Sequence, residues 1–205
     1  MNDALTLFDY TFVDNKADNT LFLLHGTGGS KQDMLFFDDL LEKKYNLVSL
    51  KGNVVEQGMT RFFKRLSLGV FDQTSIKIES EKFHAFISAW KKEHSLSSTK
   101  VFGLGYSNGA NMLLATVFKY PEAIQNLVLL HPMLPFLPTD MVLKQHAIFM
   151  SYSFDDQMIS EEQSLDLIDV LIESKAQLSI KEYSTGHEIS PQELNDVIKY
   201  LGISL

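Results

Sequence analysis

Short apolar runs without polar alternation, separated by stretches of helical periodicity, recur along this chain of 205 residues. The runs are TLFLL (20–24), NLVSL (46–50), KVFGLG (100–105), NLVLL (126–130) and AIFMS (147–151), with AQLSIKEY (176–183) last. A strand with one wet face alternates polar and apolar residues. The first four runs do not, as expected of strands covered on both faces. Between the runs, residues 79–94 bring Phe83, Phe86, Ile87 and Trp90 to one helical face, and residues 191–203 do the same with Leu194, Val197, Ile198 and Leu201. That last stretch opens on Ser190, Pro191 and Glu193, a capping box with proline at the first helical position; Ser160 and Gln163 open residues 161–174 similarly. Strands alternating with helices imply an α/β fold, a mostly parallel sheet wrapped on both faces, with a strand near 7–13 pairing at an edge. No repeat or Ser/Gly linker interrupts the pattern, so one domain over 1–205 is expected.

Composition narrows the partners. The formal net charge of -8 argues against nucleic acid, and the absence of cysteine excludes disulfides and thiolate metal sites. The start MNDALTLFDYTF lacks the pattern of a secretory signal, and no apolar run approaches the roughly 18 residues of a membrane span. A cytoplasmic protein without membrane insertion is the expectation.

In a parallel sheet, ligands bind beyond the carboxyl ends of the strands. Four polar stretches fall there: HGTGGS (25–30), YSNGA (106–110), YSFDD (152–156) and STGHE (184–188). GYSNG fits G-x-S-x-G, which holds a serine in a strained strand-to-helix turn beside the free N–H groups of the helix start. A plain turn would also use these residues. A serine nucleophile needs a base. His84 and His94 fall on a helix, His131 and His146 flank a proline-rich loop, and His25 precedes a glycine loop. His187 alone follows the last strand, so the order Ser107, acid, His187 fits an α/β-hydrolase. The acid should follow the fifth run, where Asp155 and Asp156 stand; Asp155 is the favoured one.

On LLHGTGGS (23–30), KGNVVEQGMTRFFKRLSLGVFD (51–72), VFGLGYSNGANM (101–112), LHPMLP (130–135) and TGHE (185–188), the chain resembles the phospholipase/carboxylesterase branch of the α/β-hydrolases. Within that branch it is most similar to bacterial carboxylesterases described as hydroquinone-specific hydrolases. The resemblance implies Ser107 as nucleophile, Asp155 as acid and His187 as base, with the backbone N–H groups of Thr27 and Asn108 as oxyanion hole. Around the acid the family reads close to Gly-Thr-Asn-Asp-Pro, where this chain has Tyr152, Ser153, Phe154, Asp155 and Asp156.

Residues 131–146 are too few for a folded lid, so a capless, open site is expected, with Met133, Leu134, Phe136, Leu137 and Met141 near its mouth. RFFKR (61–65) reads by composition as a solvated basic face over two buried phenylalanines. The resemblance turns Arg61 toward the site, and Phe62 or Phe63 would add an aromatic substrate contact if it faced the site rather than the core. The leading function is a serine carboxylesterase acting on small acyl or aryl esters, with no cofactor and no metal. The alternatives are a non-catalytic binding protein on the same fold, or acyl transfer or carbon–carbon hydrolysis on the same triad. The expected partner is a small-molecule ester, and a homodimer is left open.

Overall fold

The computed structural model describes residues 3–203; Met1, Asn2, Ser204 and Leu205, the ends of the expected 1–205 domain, lie outside the described residues. In chain order the elements are β1 (Tyr10–Val13), β2 (Asn19–Leu24), α1 (Phe37–Leu40), β3 (Tyr45–Leu50), β4 (Val54–Glu56), β5 (Met59–Arg61), β6 (Arg65–Ser67), β7 (Val70–Phe71), α2 (Gln73–Glu93), β8 (Val101–Tyr106), α3 (Asn108–Lys119), β9 (Asn126–Leu130), β10 (Ala147–Ser153), α4 (Glu161–Glu173), β11 (Gln177–Tyr183) and α5 (Pro191–Ile203). A seven-stranded sheet runs β1-β3-β2-β8-β9-β10-β11. All its pairings are parallel except the edge pair β1–β3.

The unbroken apolar runs are explained by the two cores they feed. Along β2, Leu21 and Leu23 point to one face with Phe37 of α1 and Val197 and Leu201 of α5. Phe22 and Leu24 point to the other, against Phe83 and Phe86 of α2, with α3 and Leu167 of α4 on the same side. A strand sandwiched this way has no wet face, so it needs apolar residues at every position. The helix starts follow the sequence signals. Ser160 and Gln163 form a reciprocal capping box on α4, and Glu193 N donates to Ser190 Oγ at the start of α5. The second helix begins earlier than its apolar face suggests, because the Asp72 side chain accepts from Ser75 N and caps it there.

Residues 131–146 hold no helix or strand, as their length implies. The segment between β3 and α2 was not legible as structure. It forms two antiparallel hairpins, β4–β5 and β6–β7, whose turns carry Gly58 and Gly69 at positive φ. No helix among the described residues is long and apolar enough to cross a membrane.

Candidate active site

Ser107 sits between β8 and α3 with φ 51° and ψ −113°, a conformation a side chain adopts only under strain. Its N–H donates to Leu130 O at the end of β9, which pins the turn. The flanking glycines are steric necessities. A Cβ on Gly109 would lie 2.2 Å from Leu24 O, and one on Gly105 would lie 2.6 Å from Ala110 N, so strand and helix could not close. The serine is thereby presented above the sheet at the start of an α-helix whose first N–H groups have no partner within it.

His187, in the loop between β11 and α5, places Nε2 2.9 Å from Ser107 Oγ. Its Nδ1 is 2.6 Å from Asp156 Oδ2. The carboxylate that meets the ring is therefore Asp156, which corrects the expectation that Asp155 would do so. Asp156 N donates to Ser153 O, closing a turn in which Phe154 and Asp155 occupy the outer corners. Asp155 is exposed and accepts from Ser153 Oγ and Gly186 N, contacts that hold its carboxyl below the ordinary range. Asp156 returns to the sheet end, where Oδ1 accepts from the N–H groups of Met158 and Ile159. Sequence spacing could not separate the neighbours, because the tightness of the turn decides which one faces inward.

The oxyanion candidates are braced from a single stretch. Thr60 O accepts from Gly28 N at 2.8 Å, Arg61 Nη1 donates to Thr27 Oγ1 at 2.7 Å, and Phe62 N donates to Asn108 Oδ1 at 2.7 Å. Neither Thr27 N nor Asn108 N enters a hydrogen bond among the described residues, and both residues line the cleft beside Ser107. His25 supports the same loop from below. Burial lowers its pKa, and as a neutral ring it donates from Nδ1 to Gly26 O and accepts at Nε2 from Gly52 N. Tyr106, which sequence reasoning passed over, donates from its hydroxyl to His187 O at 2.7 Å and so fixes the loop of the base. Burial first, then the charges of Asp156, Glu193 and Glu188, push that phenol up to about 12.

The cleft is lined by Thr27, Arg61, Arg65, Leu68, Met133 and Met158 together with Ser107 and His187, and its free space is about 30 Å³. Arg61 does reach the site. It is buried, its Nε donates to Phe63 O, and Glu56 stands 3.5 Å away. Burial lowers the guanidinium pKa and Glu56 partly offsets this, so the group stays cationic. Phe62 and Phe63 do not reach it. Both are fully buried in the core, Phe62 tilted over the His25 ring and Phe63 edge-on to Phe71, which corrects their assignment as substrate contacts. Of the five loop residues expected at the mouth, Met133 alone lines the cleft; Leu134, Phe136 and Met141 pack on the core and Leu137 is exposed. The β6–β7 hairpin adds Arg65, Leu68, Gly69 and Phe71 to the lining, and Met158 and Ile159 contribute as well.

Among the described residues, His131, Asp156 and His187 bring ligand-type atoms within 4.8 Å of one another. The 2.6 Å contact between His187 Nδ1 and Asp156 Oδ2 leaves no place for an ion. Ligand atoms at zinc distance in a tetrahedral site stand roughly 3.3 Å apart. The cluster suits proton transfer rather than metal binding.

Comparison with known proteins agrees with the fold. Residues 11–205 match the family model described as Phospholipase/Carboxylesterase. The protein MhqD of Bacillus subtilis (strain 168) is 33% identical over 185 residues, covering 90% of this chain and 92% of its own. The crystal structure of a Bacillus cereus carboxylesterase superposes with a TM-score of 0.90 at 28% identity, over 97% of this chain and 95% of that one. The structure of YahD with malic acid gives a TM-score of 0.87 at 29% identity, over 97% of this chain and 100% of that one. With an α/β-hydrolase fold and a family match that spans nearly its whole length, the chain belongs to the phospholipase/carboxylesterase family.

Proposed function

We propose that this hydrolase-family protein is a serine carboxylesterase. The observation that carries the reading is His187, whose two ring nitrogens meet Ser107 Oγ and Asp156 Oδ2. In the proposed reaction Ser107 Oγ attacks the ester carbonyl carbon while its proton passes to His187 Nε2. Asp156 holds the ring in the tautomer with Nδ1 protonated and stabilises the imidazolium that forms. The carbonyl oxygen becomes an oxyanion held by the N–H groups of Thr27 and Asn108. Collapse of the tetrahedral intermediate breaks the bond to the alcohol, which leaves with the proton from His187. Water then gives a proton to the same nitrogen and attacks the acyl-enzyme, releasing the acid and restoring Ser107.

The free space within the cleft is only about 30 Å³, far below that of ligand pockets that enclose a large molecule, which favours short acyl groups or a single aromatic leaving group. Arg65 in the cleft lining favours substrates that carry a carboxylate. The similar structure of YahD holds malic acid, an acid of the kind such a wall attracts. Fluorophosphonate labelling with peptide mapping tests the reading: the label is expected on Ser107, and Ser107→Ala is expected to lose both labelling and ester turnover. Full labelling of the alanine variant at another residue would overturn it.

A further inference from the structure

Behind Asp156 lies a second buried histidine that the reaction above does not use. His131 follows the end of β9 with a positive φ of 48°, and its N–H donates to Ser151 O on β10. Its Nδ1 stands 3.4 Å from Asp156 Oδ2, the oxygen that also meets His187, with side-chain exposures of 0% and 1%; the contact is an ion-pair distance without hydrogen-bond alignment, and the two histidine rings lie 5.3 Å apart. On the other edge of the ring, Nε2 stands 3.3 Å from Glu193 Oε2, with both side chains at 0%. Ser107, His187, Asp156, His131 and Glu193 thus form one line from the cleft to the first turn of α5.

Glu193 is the more telling end of that line. As the third residue of α5 it accepts from Ser190 N at 3.4 Å, the ordinary work of a capping box. A cap of this kind works equally well at the surface. Here the carboxyl is fully buried, and its Oε1 has no hydrogen-bond partner among the described residues. Burying a carboxyl with one oxygen unpaired is costly, and helix capping does not require it. Its remaining contact is His131.

Proton counting fixes the direction of the His131–Asp156 contact. Asp156 Oδ1 accepts from two backbone amides and Oδ2 meets His187 Nδ1, so Asp156 is an acceptor throughout. A doubly protonated His131 between two carboxylates hydrogen-bonds Glu193 at one edge and faces Asp156 electrostatically at the other. So does a neutral His131 beside a protonated Glu193. In either arrangement Nδ1 carries a proton toward Asp156.

We infer that His131, oriented by Glu193, is a positioning residue that steadies Asp156 Oδ2 by a close polar contact beside the His187 ring. This rests on the esterase reading of the site. The two amides tether only Oδ1, so the carboxylate retains a rotation about that oxygen, and the His131 ring against Oδ2 opposes it. His187 then stays aligned with Ser107 while the proton moves. His131 does not line the cleft, so its loss should act on kcat and not on substrate binding.

The test compares His131→Gly with His131→Asn, both of which tolerate the positive φ. Asparagine places an amide donor where Nδ1 stood; glycine places none. His131→Gly should lower kcat on the order of 100-fold, the cost of a misplacement of about 1 Å, with KM unchanged. The low-field proton resonance of the His187–Asp156 hydrogen bond should shift or broaden in the same variant. His131→Asn should recover most of kcat and the resonance. A folded His131→Gly protein with wild-type kcat and an unshifted resonance overturns the inference, as does an asparagine variant no better than glycine. Wild type and Ser107→Ala are run alongside. Absence of ester turnover by the wild type defeats the esterase reading, and the resonance, which needs no turnover, still decides on His131.

Discussion

Asp155 and Asp156 are one peptide apart and have opposite surroundings, exposed and turned to the loop backbone in one case, buried against His187 in the other. Asp156→Asn should lower kcat on the order of 10⁴-fold, because an asparagine donating to Nδ1 enforces the wrong histidine tautomer. Asp155→Asn should change kcat by less than about tenfold, since it loses only loop contacts. Steady-state kinetics on one aryl ester checks both, and the reverse order would mean that the loop runs differently in solution. Gly109→Ala probes the turn itself. With Leu24 O 2.2 Å from the new Cβ, the variant should lose at least about 3 kcal/mol of stability in denaturant unfolding. Ser107 and His187 could be read from the sequence because glycine spacing and strand order fix them. The acid could not, because a β-turn's corner residues are chosen by backbone geometry that adjacent aspartates do not reveal.

The helices and central strands were readable because each carries its own signal: an apolar period, a cap, or an unbroken apolar run. The two hairpins from Val54 to Phe71 carry none that a short strand would need. Their exposed residues include Val55, Leu66, Leu68 and Val70, while Phe62 and Phe63 between them are wholly buried, so hydrophobicity and burial part company there. The composition of RFFKR placed both phenylalanines in the core, as observed, and the substrate-contact assignment set that signal aside. Arg61 and Arg65 flank those phenylalanines and should separate in kinetics. Arg61→Ala removes the brace on Thr27 and should lower kcat/KM about tenfold or more on neutral and anionic esters alike. Arg65→Ala, which loses a cleft-lining charge without that brace, should weaken anionic esters selectively. A paired series of neutral and carboxylate-bearing esters is the measurement, and equal losses for Arg65→Ala on both would remove it from recognition.

Across the whole molecule, acid should loosen the fold before the carboxylates titrate. Burial lowers the pKa of His25 and of His146 below the ordinary 6.5, chiefly by desolvation of the charged ring. Below that value an unfolded chain takes up protons that the folded one refuses, so stability present above it is lost as the pH falls toward the depressed folded values. Thermal unfolding at about pH 7.5 and about pH 5.5 should show a lower Tm in acid, and His146→Gln should show a smaller drop. An equal drop in that variant would exclude His146 as a contributor. The bracing of Thr27 and Asn108 from residues 60–62 bears on how such a molecule can be altered. Thr60, Arg61 and Phe62 form the fixed base of an excursion whose outer turns, at Gly58 and Gly69, lie away from those three contacts. The inner part behaves as a hinge pin for the reacting centre and the outer part as an exchangeable rim. New turns grafted at 57–58 and 66–69 should therefore re-cut the range of esters accepted while the rate of serine acylation by a minimal acetyl ester stays unaltered.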